Sequence, residues 1–276
     1  MRLTPLFAAT TFTAVLSTAA LTGPASGSPG GVARSLEPSA RTAASSYDLY
    51  LDFNGSNAGT PDMSSSGSAP VSTSVASSDG GRVVAVSKGA GQAARMEPFD
   101  PETPAELAVV VARPEGNGDP FAPRTGDFAF GASFNLDPRS QGSSVDNGNN
   151  LFQRGLYSDD AQYKLQIDDG RVSCRVAGSS GAVQVKASRA VRSGAWHRVR
   201  CLRDSNVVKL VVVELTADGP VSRSWTQSGP IGDLAFSARP PLSVGGKVDR
   251  TGAVVKSSSD QFNGRVDNVF FRRISG

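Results

Sequence analysis

The chain is poor in the residues on which metal sites and hydrolytic chemistry depend. Its 276 residues include only two cysteines, Cys174 and Cys201, and one histidine, His197. Three such side chains cannot supply the four ligands of an ordinary zinc site. Glutamate is scarce in the second half, where Glu214 stands alone beyond residue 150. Glycoside hydrolysis needs two carboxylates across the scissile bond, and no ExDxxE arrangement is present. The pairs Asp159-Asp160 and Asp168-Asp169 fall in turn-like stretches, where solvated turn residues are the better reading. No GxSxG accompanies His197, and no phosphate-binding glycine loop is present. The chain therefore reads as a protein that is not an enzyme. Aromatic residues make up 7% and net charge is only +3, with a pI near 9.0. Nucleic-acid binders interleave basic and stacking aromatic residues, so a nucleic-acid partner is not expected.

Long apolar runs are absent except at the start. There Arg2 precedes LFAATTFTAVLSTAAL and then the small residues TGPASGS. A charged segment, an apolar segment and a small-residue zone are the parts of a secretory signal. Gly23 and Ala25 place cleavage near Ser26, giving a signal peptide over 1–25. The competing reading, a membrane anchor, fits less well. Thr, Ser and Pro interrupt the run and no charged stop-transfer flank follows. No cysteine near that zone suggests a lipid anchor. Residues 26–46, rich in Ser, Ala, Gly and Pro, read as a flexible leader. The expectation is a secreted protein with no membrane span after signal removal and one domain over 47–276.

Helical spacing is hard to find, and no internal repeat is apparent. PAELAVVVARPEG (104–116) comes nearest to a helix, but its Val-rich centre suits a short buried strand equally well. Beyond it the chain alternates. Tyr163, Leu165 and Ile167 oppose Lys164, Gln166 and Asp168, and Asp169-Gly170 then forms a two-residue hairpin signal. Val172, Cys174 and Val176 share the next apolar face, followed by Val183 and Val185, then Val199 and Cys201. VVKLVVVEL (207–215) reads as a strand buried on both sides. Turns every 8–12 residues predict an all-β sandwich built on an antiparallel meander. Both thiols face inward, so in an exported chain they form one disulfide or remain two buried free thiols. The same phase puts Arg171, Arg175, Lys186, Arg198 and Arg200 on the opposite face, with Lys164 beside them. That set is either an anion-binding face or the solvent side of a sheet. The loop SSVDNGNN (143–150), with Asp146, Asn147 and Asn149, suits either hydroxyl recognition or a turn.

Four segments now carry a resemblance. NLFQRGLYSDDAQYKLQIDDGRVSCRV (150–176), SGAWHRVRC (193–201), PPLSVGG (240–246) and FNGRVDNVFF (262–271) run in the order and spacing of a laminin G-like domain. YDLYLDFNGSNAGTPDMSSSG (47–67) resembles that family's opening strand and loop. The resemblance implies a concanavalin A-like jelly roll whose first and last strands lie side by side in mid-sheet. Tyr47, Leu49, Leu51 and Phe53 would then face the core, as would Phe262, Val266 and Phe270, with Gly264 allowing close backbone approach. Asp267 matches the aspartate of the family's FxGxxD pattern. It implies one of two roles: helping to hold a structural calcium ion, or capping local backbone amides. His197, beside the strand tryptophan, is implied to be structural. The implied function is a non-catalytic binding module for carbohydrate or a cell-surface ligand. On the basic set, the ligand would be a sulfated or phosphorylated glycan or another anionic polymer. The alternative is a structural domain that binds another extracellular protein.

Overall fold

A computed structural model describes residues 46–55, 59–96, 106–138, 149–258 and 260–274, all within one compact unit, Pro38–Gly276. The expected signal peptide, the leader up to residue 45, and Asp146 and Asn147 lie outside the described residues. Among the described residues no helix is long and apolar enough to cross a membrane.

Fifteen strands among the described residues stack as two antiparallel sheets. Sheet I runs in the order β13 (Gly219–Ser228), β12 (Val207–Thr216), β11 (Trp196–Asp204), β6 (Asp127–Leu136), β15 (Gly264–Ile274), β4 (Gly91–Met96) and β3 (Val83–Lys88). A short β1 (Leu49–Leu51) also pairs with β15. Sheet II runs in the order β10 (Gly181–Lys186), β9 (Arg171–Gly178), β8 (Gln162–Asp168), β7 (Asn149–Arg154), β14 (Leu242–Val244), β5 (Leu107–Pro114) and β2 (Val71–Ser78).

Alternation gave the strand phase correctly. Tyr163, Leu165, Ile167, Val172, Cys174, Val176, Val183, Val185, Val199 and Cys201 are all buried in one core. Asp169 and Gly170 both have positive φ, 50° and 69°, as the two-residue hairpin requires. The ambiguous segment at 107–114 is a strand. Ala108, Val110 and Ala112 face the main core, while Val109 and Val111 pack with Val248 on the other side.

The meander itself is not continuous. β8, β9 and β10 are neighbours in sheet II, but residues 187–195 carry the chain across to sheet I, where β11, β12 and β13 form a second meander. The two inner faces of a sandwich have the same apolar alternation, so the pattern cannot show a change of sheet. The crossing makes the cystine an inter-sheet link. Cys174 of β9 is bonded to Cys201 of β11 with Cα atoms 6.1 Å apart. β12 also differs from expectation: Val208, Leu210 and Val212 are buried, but Val207 and Lys209 are exposed. It lies one strand from the open edge of sheet I, so one of its faces meets solvent.

The first and last strands do meet in mid-sheet. One side of β15 pairs with β6. The other side pairs first with β4, at Arg265 and Val266, and then with β1, at Val269–Phe271. Gly264 has φ 155°, and a Cβ there would lie 2.2 Å from the Asn135 carbonyl oxygen, so the strand tolerates no side chain at that point. Phe262 and Val266 face the core, but Phe270 does not, because the register with β6 shifts between Asp267 and Phe270. Asn268 takes φ 48° in this β-bulge, and the inward positions become Val269 and Phe271. Phe270 turns outward to pack on Tyr47, itself half-buried, at 5.1 Å between ring centroids.

Candidate functional site

The six cations that the strand phase grouped together do not share a face. Lys164, Arg171, Arg175 and Lys186 stand on the outer side of sheet II, whereas Arg198 and Arg200 stand on the outer side of sheet I. The crossing between β10 and β11 divides the set, although each residue points outward as expected. Asn149 is buried, and its side-chain oxygen accepts the Asn263 N–H at 2.9 Å. It holds the chain leading into β15 and is not part of an open loop.

On the outer face of sheet II, Lys164 and Arg175, but not Arg171 or Lys186, line a groove of about 500 Å³. Its floor is a polar row across adjacent strands: Gln153 pairs with Lys164, Lys164 with Arg175, and Arg175 with Gln184. At about 4.8 Å between strands, these four side chains extend over roughly 14 Å. Hydrogen bonds make the floor rigid. Gln153 and Gln162 both donate to the Gly155 carbonyl, at 2.8 and 3.1 Å, and Arg175 donates to Gln162 at 2.9 Å. Ser173 lines the same groove with a buried hydroxyl that has no hydrogen-bond partner among the described residues. A buried polar atom left unpaired is unusual in a folded protein.

One wall is the β7–β8 loop, which presents Leu156, Tyr157 and Ser158. Tyr157 is 81% exposed, by far the most exposed large apolar side chain among the described residues. The Arg175 guanidinium lies 4.8 Å from its ring centre. The loop is held in shape from behind: the Asp159 carboxylate accepts the Leu156 N–H at 2.8 Å and is bound by Arg250 at 2.7 Å. Gly155 starts the loop at φ 75°, where a Cβ would meet the Ala161 carbonyl at 2.2 Å.

The opposite wall brings in Lys247, and behind it Asp260. The Lys164 and Lys247 ammonium groups both bind the same oxygen, Asp260 Oδ2, at 3.3 and 2.7 Å. Burial lowers the Lys164 pKa below its ordinary value; Asp260 opposes this shift and the like charge of Lys247 adds to it. Sequence reasoning found Lys164 and Arg175. It missed Tyr157, Gln153, Lys247 and Asp260, because loops far apart in the chain bring them together.

The other candidates resolve as structural. The Asp267 carboxylate binds the Lys88 ammonium, accepts the Asn268 N–H at 2.7 Å and accepts the Asn268 side-chain amide at 2.9 Å. Burial raises its pKa despite the opposing lysine. Lys88 also lies 4.3 Å over the Trp196 ring. Calcium takes six to eight oxygens, whereas the groups bonded to the Asp267 carboxylate among the described residues are nitrogens of Lys88 and Asn268. Among the described residues no three His, Cys, Asp or Glu side chains form a metal-binding group. His197 is buried against Phe134, with ring centroids 5.2 Å apart and Nδ1 3.1 Å from the Ala195 carbonyl. A second recess of about 770 Å³ includes Asp119 and Asp233, but Arg154 and Arg124 bind their carboxylates at 2.8 Å each.

The protein is thus an antiparallel jelly-roll sandwich of the concanavalin A-like type with a polar groove on one outer face. Residues 146–274, a little under half of the chain, match the laminin G domain. Similar solved structures include the binding domain of Paraclostridial Mosquitocidal Protein 1, with 12% identity and a TM-score of 0.52 over 83% of this chain and 50% of that one. The Botulinum neurotoxin serotype G binding domain matches with 8% identity and a TM-score of 0.53 over 83% and 48%. The LG1-3 region of the laminin alpha2 chain matches with 18% identity and a TM-score of 0.44 over 60% and 31%. The chain spans half or less of each of these proteins. No curated protein matches it.

Proposed function

We propose that the protein is a secreted, non-catalytic binding module whose sheet II groove takes a carbohydrate. The observation that carries this reading is Tyr157, exposed at 81% beside the row of amide and cationic side chains Gln153, Lys164, Arg175 and Gln184. Sugars combine an apolar ring face with a rim of hydroxyls. An exposed aromatic ring covers the first, and preorganised amides and hydroxyls satisfy the second. Rigidity of the floor lowers the ordering cost of binding. The non-catalytic reading is supported by four carboxylates at or near the two recesses, Asp119, Asp159, Asp233 and Asp260, each of which holds a lysine or arginine.

A glycan array probed with the purified protein tests this proposal. The expected result is retention on at least one class of glycan, lost on Tyr157→Ala with no change in melting temperature. Retention on proteins alone, or glycan retention insensitive to Tyr157→Ala, would assign the domain to protein interaction or to another surface.

A further inference from the structure

We infer that Lys164 and Lys247 form a seat for one anionic substituent, a carboxylate or a sulfate, on the sugar chain that the groove takes. This inference rests on the groove reading above and adds the charge of its ligand.

Three separated segments build the seat. Lys164 comes from β8, Lys247 from the loop after β14, and Asp260 from the turn before β15. Their side chains are only 12%, 19% and 7% exposed. Two ammonium groups share a single carboxylate oxygen, so one positive charge in this shielded corner is not balanced by it. Arg175, next to Lys164 in the ladder, adds a further cation. Asp168, a second carboxylate that acts on Lys164, lies at the far end of β8 and accepts a hydrogen bond from Gln166. A partly desolvated excess cation is costly unless an anion meets it. Each ammonium has three donors, and both lysines line the groove. Burial first, and then the charge of Lys247, lower the Lys164 pKa against the opposing pull of Asp260 and Asp168. A ligand carboxylate or sulfate there would gain charge-assisted hydrogen bonds that a neutral sugar cannot.

Two matched pairs of immobilised chains provide the test: oligogalacturonate against its methyl ester, and dextran sulfate against dextran. The expected result is that the charged member of one pair is retained about tenfold or more better than its neutral counterpart, a difference of about 1.4 kcal/mol. Which pair shows it distinguishes carboxylate from sulfate. Lys247→Gln should remove the preference and Lys247→Arg should keep it, while Tyr157→Ala should weaken charged and neutral chains alike. Lys164→Met serves as the second variant if Lys247→Gln does not fold. A preference that survives both lysine changes, or that falls as much in Arg198→Ser with Arg200→Ser, overturns the seat. Equal retention of charged and neutral chains, still dependent on Tyr157, overturns the seat and leaves the groove reading standing. Retention of no chain, or retention independent of Tyr157, overturns both.

Discussion

The Asp267 carboxylate holds the backbone N–H of Asn268 at 2.7 Å, and Asn268 occupies the left-handed region at φ 48°. The pair forms the β-bulge where β15 changes partner from β4 to β1. Asparagine tolerates that conformation better than most residues, and a short carboxylate just before it satisfies the exposed amide. Asn268 is fixed further by Tyr50, whose hydroxyl donates to its side-chain oxygen at 2.5 Å, and the Tyr50 pKa is pushed up to about 12, mainly by burial. Asp267→Ala should therefore cost about 1–3 kcal/mol, because it leaves Lys88 and the bulge amide without their acceptor. Asp267→Asn, which keeps an acceptor, should cost less, and Asn268→Gly should be better tolerated than Asn268→Val. Urea denaturation of the four variants measures this. Equal stability of Asp267→Ala and the parent would remove the cap from this account.

The same contacts bear on calcium. Lys88 already neutralises Asp267. Chelation with EDTA, or addition of calcium, should leave the melting temperature unchanged. A rise with calcium that disappears in Asp267→Asn would show that a metal displaces the lysine.

The Cys174–Cys201 bond ties the two sheets together and closes a loop with a sequence separation of 27. Loop-closure entropy assigns roughly 3–4 kcal/mol to such a link. Thiol titration of the denatured, unreduced protein should find no free thiol, and the double change to Ala should lower stability by about that amount. Two titratable thiols in the parent would contradict the bond.

Much of the fold was legible because apolar alternation has a period of two, and residues such as Leu165, Cys174 and Val199 keep it without interruption. Two features broke that inference. The bulge at Asp267–Asn268 adds one residue, so Phe270 ends on the outer face although its spacing from Val266 suggested the inner one. The crossing at 187–195 sent Arg198 and Arg200 to the other sheet, which periodicity does not record. The site was less legible than the fold for a further reason. Lys164 meets Asp260 across 96 positions and Tyr157 stands in a loop, and neither relation leaves a local pattern.

His197 sets a pH dependence. Burial lowers its pKa from the ordinary 6.5, against the opposing pull of the Ala195 carbonyl and Glu214. The unfolded chain thus takes up a proton near pH 6.5 while the folded chain stays neutral to lower pH. Stability is full above 6.5 and falls as pH drops from there through the folded-state value. Melting temperatures between pH 7.5 and about pH 5 should show this decline, and His197→Gln should flatten it. The sequence has one histidine, so a slope that survives the change would belong to another group.

Arg250 provides a test of how the Tyr157 wall is held. It is more than half exposed and does not line the groove, but it binds Asp159, which in turn accepts the Leu156 N–H one residue before Tyr157. Loss of that support should leave the sandwich intact, since Arg250 lies at the surface and exposed substitutions usually stay within about 0.5 kcal/mol. It should free the loop, so that the Tyr157 ring must be ordered again when a ligand arrives, which costs affinity without removing a contact. Arg250→Ala is therefore expected to weaken glycan retention about threefold to tenfold at unchanged melting temperature, with faster hydrogen exchange at the Leu156 amide. Arg198→Ser with Arg200→Ser, on the other sheet, should change neither. Faster exchange with undiminished binding would show that the position of Tyr157 does not control affinity, and the floor row from Gln153 to Gln184 would then carry recognition by itself.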